Sequence, residues 1–141
     1  MSDDFKQYCS FALGDGVYGI DALRVQEIVQ ARSTTPVPLA PNVVTGLMNL
    51  RGQIVTVLDV RKRLGVPPRA SATTAIVVVQ TADGAIGLMV DEIGDVIDVT
   101  EEQVEPPPDT FRGEARGFVV GACKLSGRLL LTLDLDKIVA L

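Results

Sequence analysis

The sequence predicts a mainly β protein, built as two small barrels packed against each other over a shared core. Three observations carry this expectation. Apolar residues come in short runs such as AIVVV and LLL, punctuated by Gly and Pro, which favours strands closing into barrels over a helical bundle. The chain holds two copies of one unit. Each copy is about half of the 141 residues, and chains near ~60 residues bury too little apolar surface to be comfortably stable alone.

The elements follow in order. KQYCSFAL alternates, with Cys9, Phe11 and Leu13 on one side, and is followed by the turn Gly14-Asp15-Gly16 and a short strand VYGI. Asp21 is placed to cap a helical turn through Ala22, Leu23 and Arg24 before VQEIV resumes as a strand. Pro36, Pro38 and Pro41 mark a loop, after which Asn42 is expected to cap a short helix through Val43, Val44 and Leu47. IVTVLDV reads as a strand buried on both faces, and RKRLG as a short exposed helix with a glycine stop. TAIVVVQT, AIGLMVDEIGDVIDV, FVVGACKL and RLLLTLDL supply the later strands, with a proline loop at Pro106 to Pro108 and a last helical turn in DKIVAL.

The repeat is gapless over its best stretch. GLMNLRGQIVTVLDVRKRLG from Gly46 aligns with GACKLSGRLLLTLDLDKIVA from Gly121 at a shift of 121 − 46 = 75 residues. Identities fall at Gly46/Gly121, Leu50/Leu125, Gly52/Gly127, Leu58/Leu133, Asp59/Asp134 and Lys62/Lys137, and most other strand positions exchange one apolar residue for another. Upstream, VQEI at Val25 matches VDEI at Val90. Strands from about residues 15–70 and 76–141 are expected to furnish the two lobes of a single domain. A groove between the lobes would suit an elongated ligand.

Composition narrows the function. No run approaches the ~20 apolar residues that cross a bilayer, and MSDDFKQ lacks the basic-then-apolar pattern of a signal peptide. A cytoplasmic protein is expected. A net charge of −5 disfavours nucleic acid or an anionic membrane surface as partner. The chain has no histidine, which removes the commonest acid/base catalyst and metal ligand. Cys9 and Cys123 lie far apart in apolar strands, so two buried reduced thiols are expected, a disulfide staying open.

Candidate chemistry is sparse. Asp91 and Glu92 are adjacent, as are Glu101 and Glu102, and Asp134 and Asp136 lie two apart, but no pattern brings a carboxylate pair together in a cleft. Glycine-rich phosphate loops are missing. Asp59 and Asp134, at matching repeat positions, suit caps of the helical turns that follow. The basic run Arg61 to Arg63 is expected to be a solvated face. No catalytic, metal or cofactor site is expected. NLRG, Asn49 to Gly52, is different: the framing Leu and Gly recur at Leu125 and Gly127, while Asn49 and Arg51 become Lys124 and Ser126. A shared frame with altered polar positions suggests a loop with its own task, and arginine is enriched at interface hot spots. An ion pair of Arg51 within its own fold, with Glu27 for example, is the competing reading, and both stand open on the residues alone.

YGIDALRVQEIV, P-x-P, GLMNLRGQIVTVLDVRKRLG, AIGLMVDEIGDV and LLLTLDLDKI occur in the order and spacing of CheW-type coupling proteins, which the chain resembles from about Phe5 to Leu141. That resemblance implies two intertwined five-stranded SH3-like barrels, no enzymatic activity and no cofactor. It implies two partners: the regulatory domain of a CheA-type histidine kinase, and the cytoplasmic tip of chemoreceptors. Val25, Glu27, Gly46 and Arg51 match the family's contact positions, with Asn49, Leu50 and Gly52 shaping the loop. A non-flagellar chemosensory array is the alternative setting, and a small-molecule-binding regulator a more distant one. The family often has proline in the strand after NLRG. Thr56 stands there instead, a change expected to touch a strand edge without altering the fold.

Overall fold

The computed structural model describes residues 5–67, 74–109 and 113–141. Among the described residues, eleven strands run in the order β1 (Phe5–Leu13), β2 (Gly16–Asp21), β3 (Val25–Gln30), β4 (Val44–Leu50), β5 (Gln53–Asp59), β6 (Ala75–Thr81), β7 (Gly84–Val90), β8 (Glu92–Thr100), β9 (Val104–Glu105), β10 (Val119–Leu125) and β11 (Arg128–Leu133). Two short helices, α1 (Val60–Leu64) and α2 (Leu135–Val139), follow β5 and β11.

The strands form two sheets, in the orders β8-β1-β2-β11-β10-β9 and β3-β6-β7-β5-β4. Replacing each strand by its repeat partner (β1 by β6, β2 by β7, β8 by β3, β11 by β5, β10 by β4) turns the first order into the second, apart from the added two-residue β9. Each unit thus gives its first hairpin to one lobe and its later strands to the other. The match reaches fine detail. β4 and β5 bulge between Val44 and Gly46, and β10 and β11 bulge at the equivalent Val119 and Gly121. In each lobe a parallel pairing, β5 with β7 or β11 with β2, joins strands from different units.

Side-chain alternation sorts the core into three parts. In β6, Ile76 and Val78 point into their own barrel with Met48, Leu50, Val55 and Val57. Val77 and Val79, on the other face, join the largest cluster, which takes Phe11 and Ile20 from the six-stranded sheet and Leu58 and Leu88 from the five-stranded one. Tyr8, Val99, Cys123 and Leu130 fill the second barrel. Burial on both faces explains the unbroken AIVVV run. The biggest apolar cluster lies between the lobes, so neither lobe completes its core without the other.

Local signals act as expected at several ends. Asp21 accepts from the Leu23 amide and starts a 3-10 turn over Ala22–Arg24. Asp59 and Asp134 accept from the amides of Lys62 and Lys137, capping the two helices. Gly65 ends α1 in the left-handed region, at φ 73°.

The expected helix from Asn42 does not form. Val44–Leu50 is a strand, because β-branched Val44 and Thr45 lead into a ladder with β5 that a lone cap does not outweigh. Thr56 lies in an interior strand, paired with Leu47 on one side and Ile86 on the other, so the substitution touches no edge. IVTVLDV is only partly enclosed: Val55, Val57 and Leu58 are buried, but Ile54 is exposed. Both cysteines are free thiols, Cys123 buried and Cys9 half-buried.

Candidate partner-binding site

The NLRG segment forms the β4–β5 hairpin turn. Leu50 pairs with Gln53, leaving Arg51 and Gly52 as a two-residue loop. Both have positive φ, 50° and 87°, the pattern of a type I′ turn whose twist matches the flanking strands. Glycine takes this conformation freely, whereas a residue with a Cβ is strained there. Asn49 Oδ1 accepts from the Gly52 amide at 2.8 Å and braces the turn. In the equivalent hairpin of the other lobe, Gly127 has φ 78° but Ser126 is not in the positive region, so of these two hairpins the arginine turn carries this strain.

Arg51 reaches across the lobe to Glu27. β3 and β4 are the two outermost strands of their sheet, and the Arg51 guanidinium bridges them, donating from Nη1 to Glu27 Oε1 at 3.0 Å and from Nη2 to Oε2. Two parallel bonds are the favourable fork geometry for arginine and carboxylate. The hydrogen bond from Arg51 is the main reason the Glu27 carboxyl is held below its ordinary range, and the same bond holds Arg51 above its own. Gln26 also donates to Glu27, and Gln80 to Gln26, extending a polar chain onto β6. The pair is a surface feature: the Arg51 side chain is 68 % exposed. The internal partner that the residues left open is therefore present, yet the guanidinium remains accessible.

The other candidate positions divide by burial. Val25 opens β3 and packs its half-buried side chain against the main core. Leu50 is buried inside its barrel. Gly46 is also buried, with φ 152°, and a Cβ there would stand 2.5 Å from the Thr35 carbonyl oxygen. This close approach lets Thr35 and Leu47 exchange two backbone hydrogen bonds of 2.8 Å, fastening the proline loop to the edge of β4. Gly46 and Leu50 shape the site from beneath, while Glu27, Asn49, Arg51 and Gly52 reach its surface. Sequence reading gave no weight to two exposed isoleucines, Ile28 on the outward face of β3, opposite in direction to Glu27, and Ile54, directly across from Asn49 in the ladder.

Of the basic run only Lys62 is exposed as expected; both arginines are engaged within the fold. Arg61 Nε stands 3.0 Å from Asp91 Oδ1, and their side chains are 16 % and 1 % exposed. The contact is an ion pair set off the line of a hydrogen bond, so Oδ1 accepts none among the described residues. Asp91 Oδ2 accepts from the Gly14 amide at 2.8 Å. Arg63 lies over the Phe118 ring, 4.8 Å from its centroid, and donates to the carbonyls of Lys137, Ile138 and Ala140. α2 has no glycine at its end, and Arg63 supplies the missing C-terminal donors. Both arginines hold the fold together because their partners lie far away in the chain.

The described residues thus form a double barrel with an exposed polar fork on a strained hairpin, and no group of three metal-ligating side chains among them. The CheW-like domain family matches residues 7–141. The chain is 31 % identical to the chemotaxis protein CheW of Rhizobium meliloti, over 98 % of this chain and 90 % of that protein. It is 30 % identical to the chemotaxis protein CheW of Treponema pallidum, over 98 % and 84 % of the two chains. The solved structure of the scaffolding protein TtCheW from Thermoanaerobacter tengcongensis superposes with a TM-score of 0.86 at 31 % identity, covering 96 % of this chain and 93 % of that one. The chain belongs to the CheW-like domain family.

Proposed function

We propose that this chain is a non-enzymatic scaffold of chemotaxis signalling, joining the regulatory domain of a CheA-type histidine kinase to the cytoplasmic tips of chemoreceptors. It acts as one module, without cofactor, nucleic acid or insertion into membrane, in the cytoplasm beside membrane-anchored receptor arrays. Among the described residues no helix is long and apolar enough to cross a membrane. The observation that carries the reading is Arg51. The second lobe has the same hairpin without arginine and without the strained residue, so the first lobe keeps a costly feature that the fold does not require. In this reading Val25, Glu27 and Arg51 meet the partners, Asn49 and Gly52 aim the arginine, and Gly46 and Leu50 support it.

The test is calorimetric titration of the chain with the regulatory domain of its cognate kinase. Transient signalling interfaces are small, so a micromolar Kd is expected, about −8 kcal/mol. Absence of binding at concentrations on the order of a hundred times that Kd would refute the kinase assignment.

A further inference from the structure

Two ion pairs start from equivalent positions on the short helices of the two lobes and end in the two crossovers. Arg61 and Asp136 are each the second residue of their helix, 136 − 61 = 75 positions apart, which is the repeat shift. Arg61 meets Asp91, the single residue between β7 and β8, where the chain crosses from the five-stranded to the six-stranded sheet. Asp136 Oδ1 meets Arg24 Nη2 at 2.9 Å, in the 3-10 turn between β2 and β3, where the chain crosses the other way. A third contact completes each junction. Asp91 takes the Gly14 amide from the β1–β2 turn, and Arg24 Nε donates at 3.1 Å to the Gln80 carbonyl near the β6–β7 turn. Each lobe thus joins helix, crossover and hairpin, with the charges reversed, although Asp91 and Arg24 are not themselves equivalent repeat positions.

The two copies are unequal. The side chains of Arg61 and Asp91 are 16 % and 1 % exposed, those of Arg24 and Asp136 32 % and 74 %. The Asp91 crossover is one buried residue; the other is a three-residue turn with no buried side chain, whose Leu23 is 91 % exposed. Removing one partner of a buried pair strands a charge and is strongly destabilising, whereas an exposed pair is weak and screened by salt.

We propose that the junctions are the two joints between the lobes: Arg61–Asp91 a fixed joint, and Arg24–Asp136 a latch that opens and recloses in the folded protein. Opening the latch frees the β2–β3 crossover from α2 while the Asp91 side stays closed. Val25 follows Arg24 directly and Glu27 comes two residues later, so the latch also sets where the candidate contact strand begins; that consequence alone rests on the functional reading above. Arg24 and Asp136 are positioning residues.

Hydrogen exchange on the full chain tests this without any partner, so its outcome is separate from that of the kinase titration. Asp136→Asn should speed exchange of the Leu23 and Val25 amides by about two- to fivefold, the range an exposed pair supports, with Tm nearly unchanged. Salt on the order of 1 M, where the screening length falls to about 3 Å, should do the same in the parent and add nothing to Asp136→Asn. The swapped pair Arg24→Asp with Asp136→Arg should restore low-salt protection. At the other joint, Asp91→Asn should lower Tm by about 10 °C or prevent folding, while Arg61→Lys keeps the charge and gives a folded protein. Crossover exchange indifferent to salt and to Asp136→Asn would overturn the latch, and an unchanged Tm in Asp91→Asn would overturn the fixed joint.

Discussion

Arg51→Asn separates a partner-binding role for the arginine from a purely structural one. Arg51 sits at φ 50°, where a residue with a Cβ is less stable by roughly 1–2 kcal/mol. Asparagine tolerates this region and is favoured at the first position of such turns, so it recovers part of that strain. Against this stands loss of the Glu27 fork, an exposed and salt-screened contact with little net effect on folding. A change in Tm between zero and about +3 °C is therefore expected for a chain of this size. Binding should move the other way. An interface hot spot costs about 2 kcal/mol or more on truncation, a loss of about thirtyfold in affinity. Thermal unfolding and calorimetric titration with the kinase domain, followed by receptor-stimulated kinase activity, measure both effects on one preparation. A fall in Tm beyond about 3 °C with affinity and coupling intact would refute the reasoning and make Arg51 a structural residue.

Two further outcomes bear on the same site. Gly46→Ala drives a Cβ to 2.5 Å from the Thr35 carbonyl, so it should lower stability by about 2 kcal/mol, or Tm by about 6 °C; an unchanged melting curve would show that the loop does not pack on β4. Because Arg51 holds the Glu27 carboxyl below its ordinary range, the pair's stabilisation is complete above that range and disappears only as pH falls through the depressed value. Titration followed by the Glu27 side-chain carbon resonance should show a midpoint below the usual one in the parent and near it in Arg51→Asn; equal midpoints would mean that the fork does not persist in solution.

What could be read from the sequence depended on how far apart the interacting residues lie. The helix caps at Asp21, Asp59 and Asp134 involve partners two or three residues away, and all three formed. The repeat was legible because identities such as Asp59/Asp134 mark whole elements, and the shared core follows from the same duplication. Asn42 misled because a cap signal is local, while the ladder that makes Val44–Leu50 a strand depends on Gln53–Asp59. The basic run misled for the opposite reason. Nothing near Arg61 or Arg63 announces Asp91 or the carbonyl of Ile138, which lies 75 residues from Arg63. At the site, Arg51 and Glu27 were both legible as residues. The strained turn was not, because framing Leu and Gly are common to both hairpins and only the backbone shows that one takes positive φ twice.

The ion pair to Glu27 does not compete with a partner-binding role for Arg51. A pair kept only for stability gains little from exposure, and less from a turn that is itself strained. The Ser126 hairpin shows that this fold closes the equivalent loop without either. In the proposed partner-binding role, what the pair supplies is preorganisation. A free arginine loses side-chain freedom on binding, at about 0.5–1.5 kcal/mol for a flexible side chain. Glu27 has already restricted Arg51, and it occupies Nη1 and Nη2 while most of the side chain stays open to solvent. The aliphatic stem and the guanidinium face remain available to an apolar ridge. Glu27→Gln should therefore weaken partner binding less than Arg51→Asn does, because it loosens the arginine without removing it. The reverse ranking in the same titration would make Glu27 the contact and Arg51 its support.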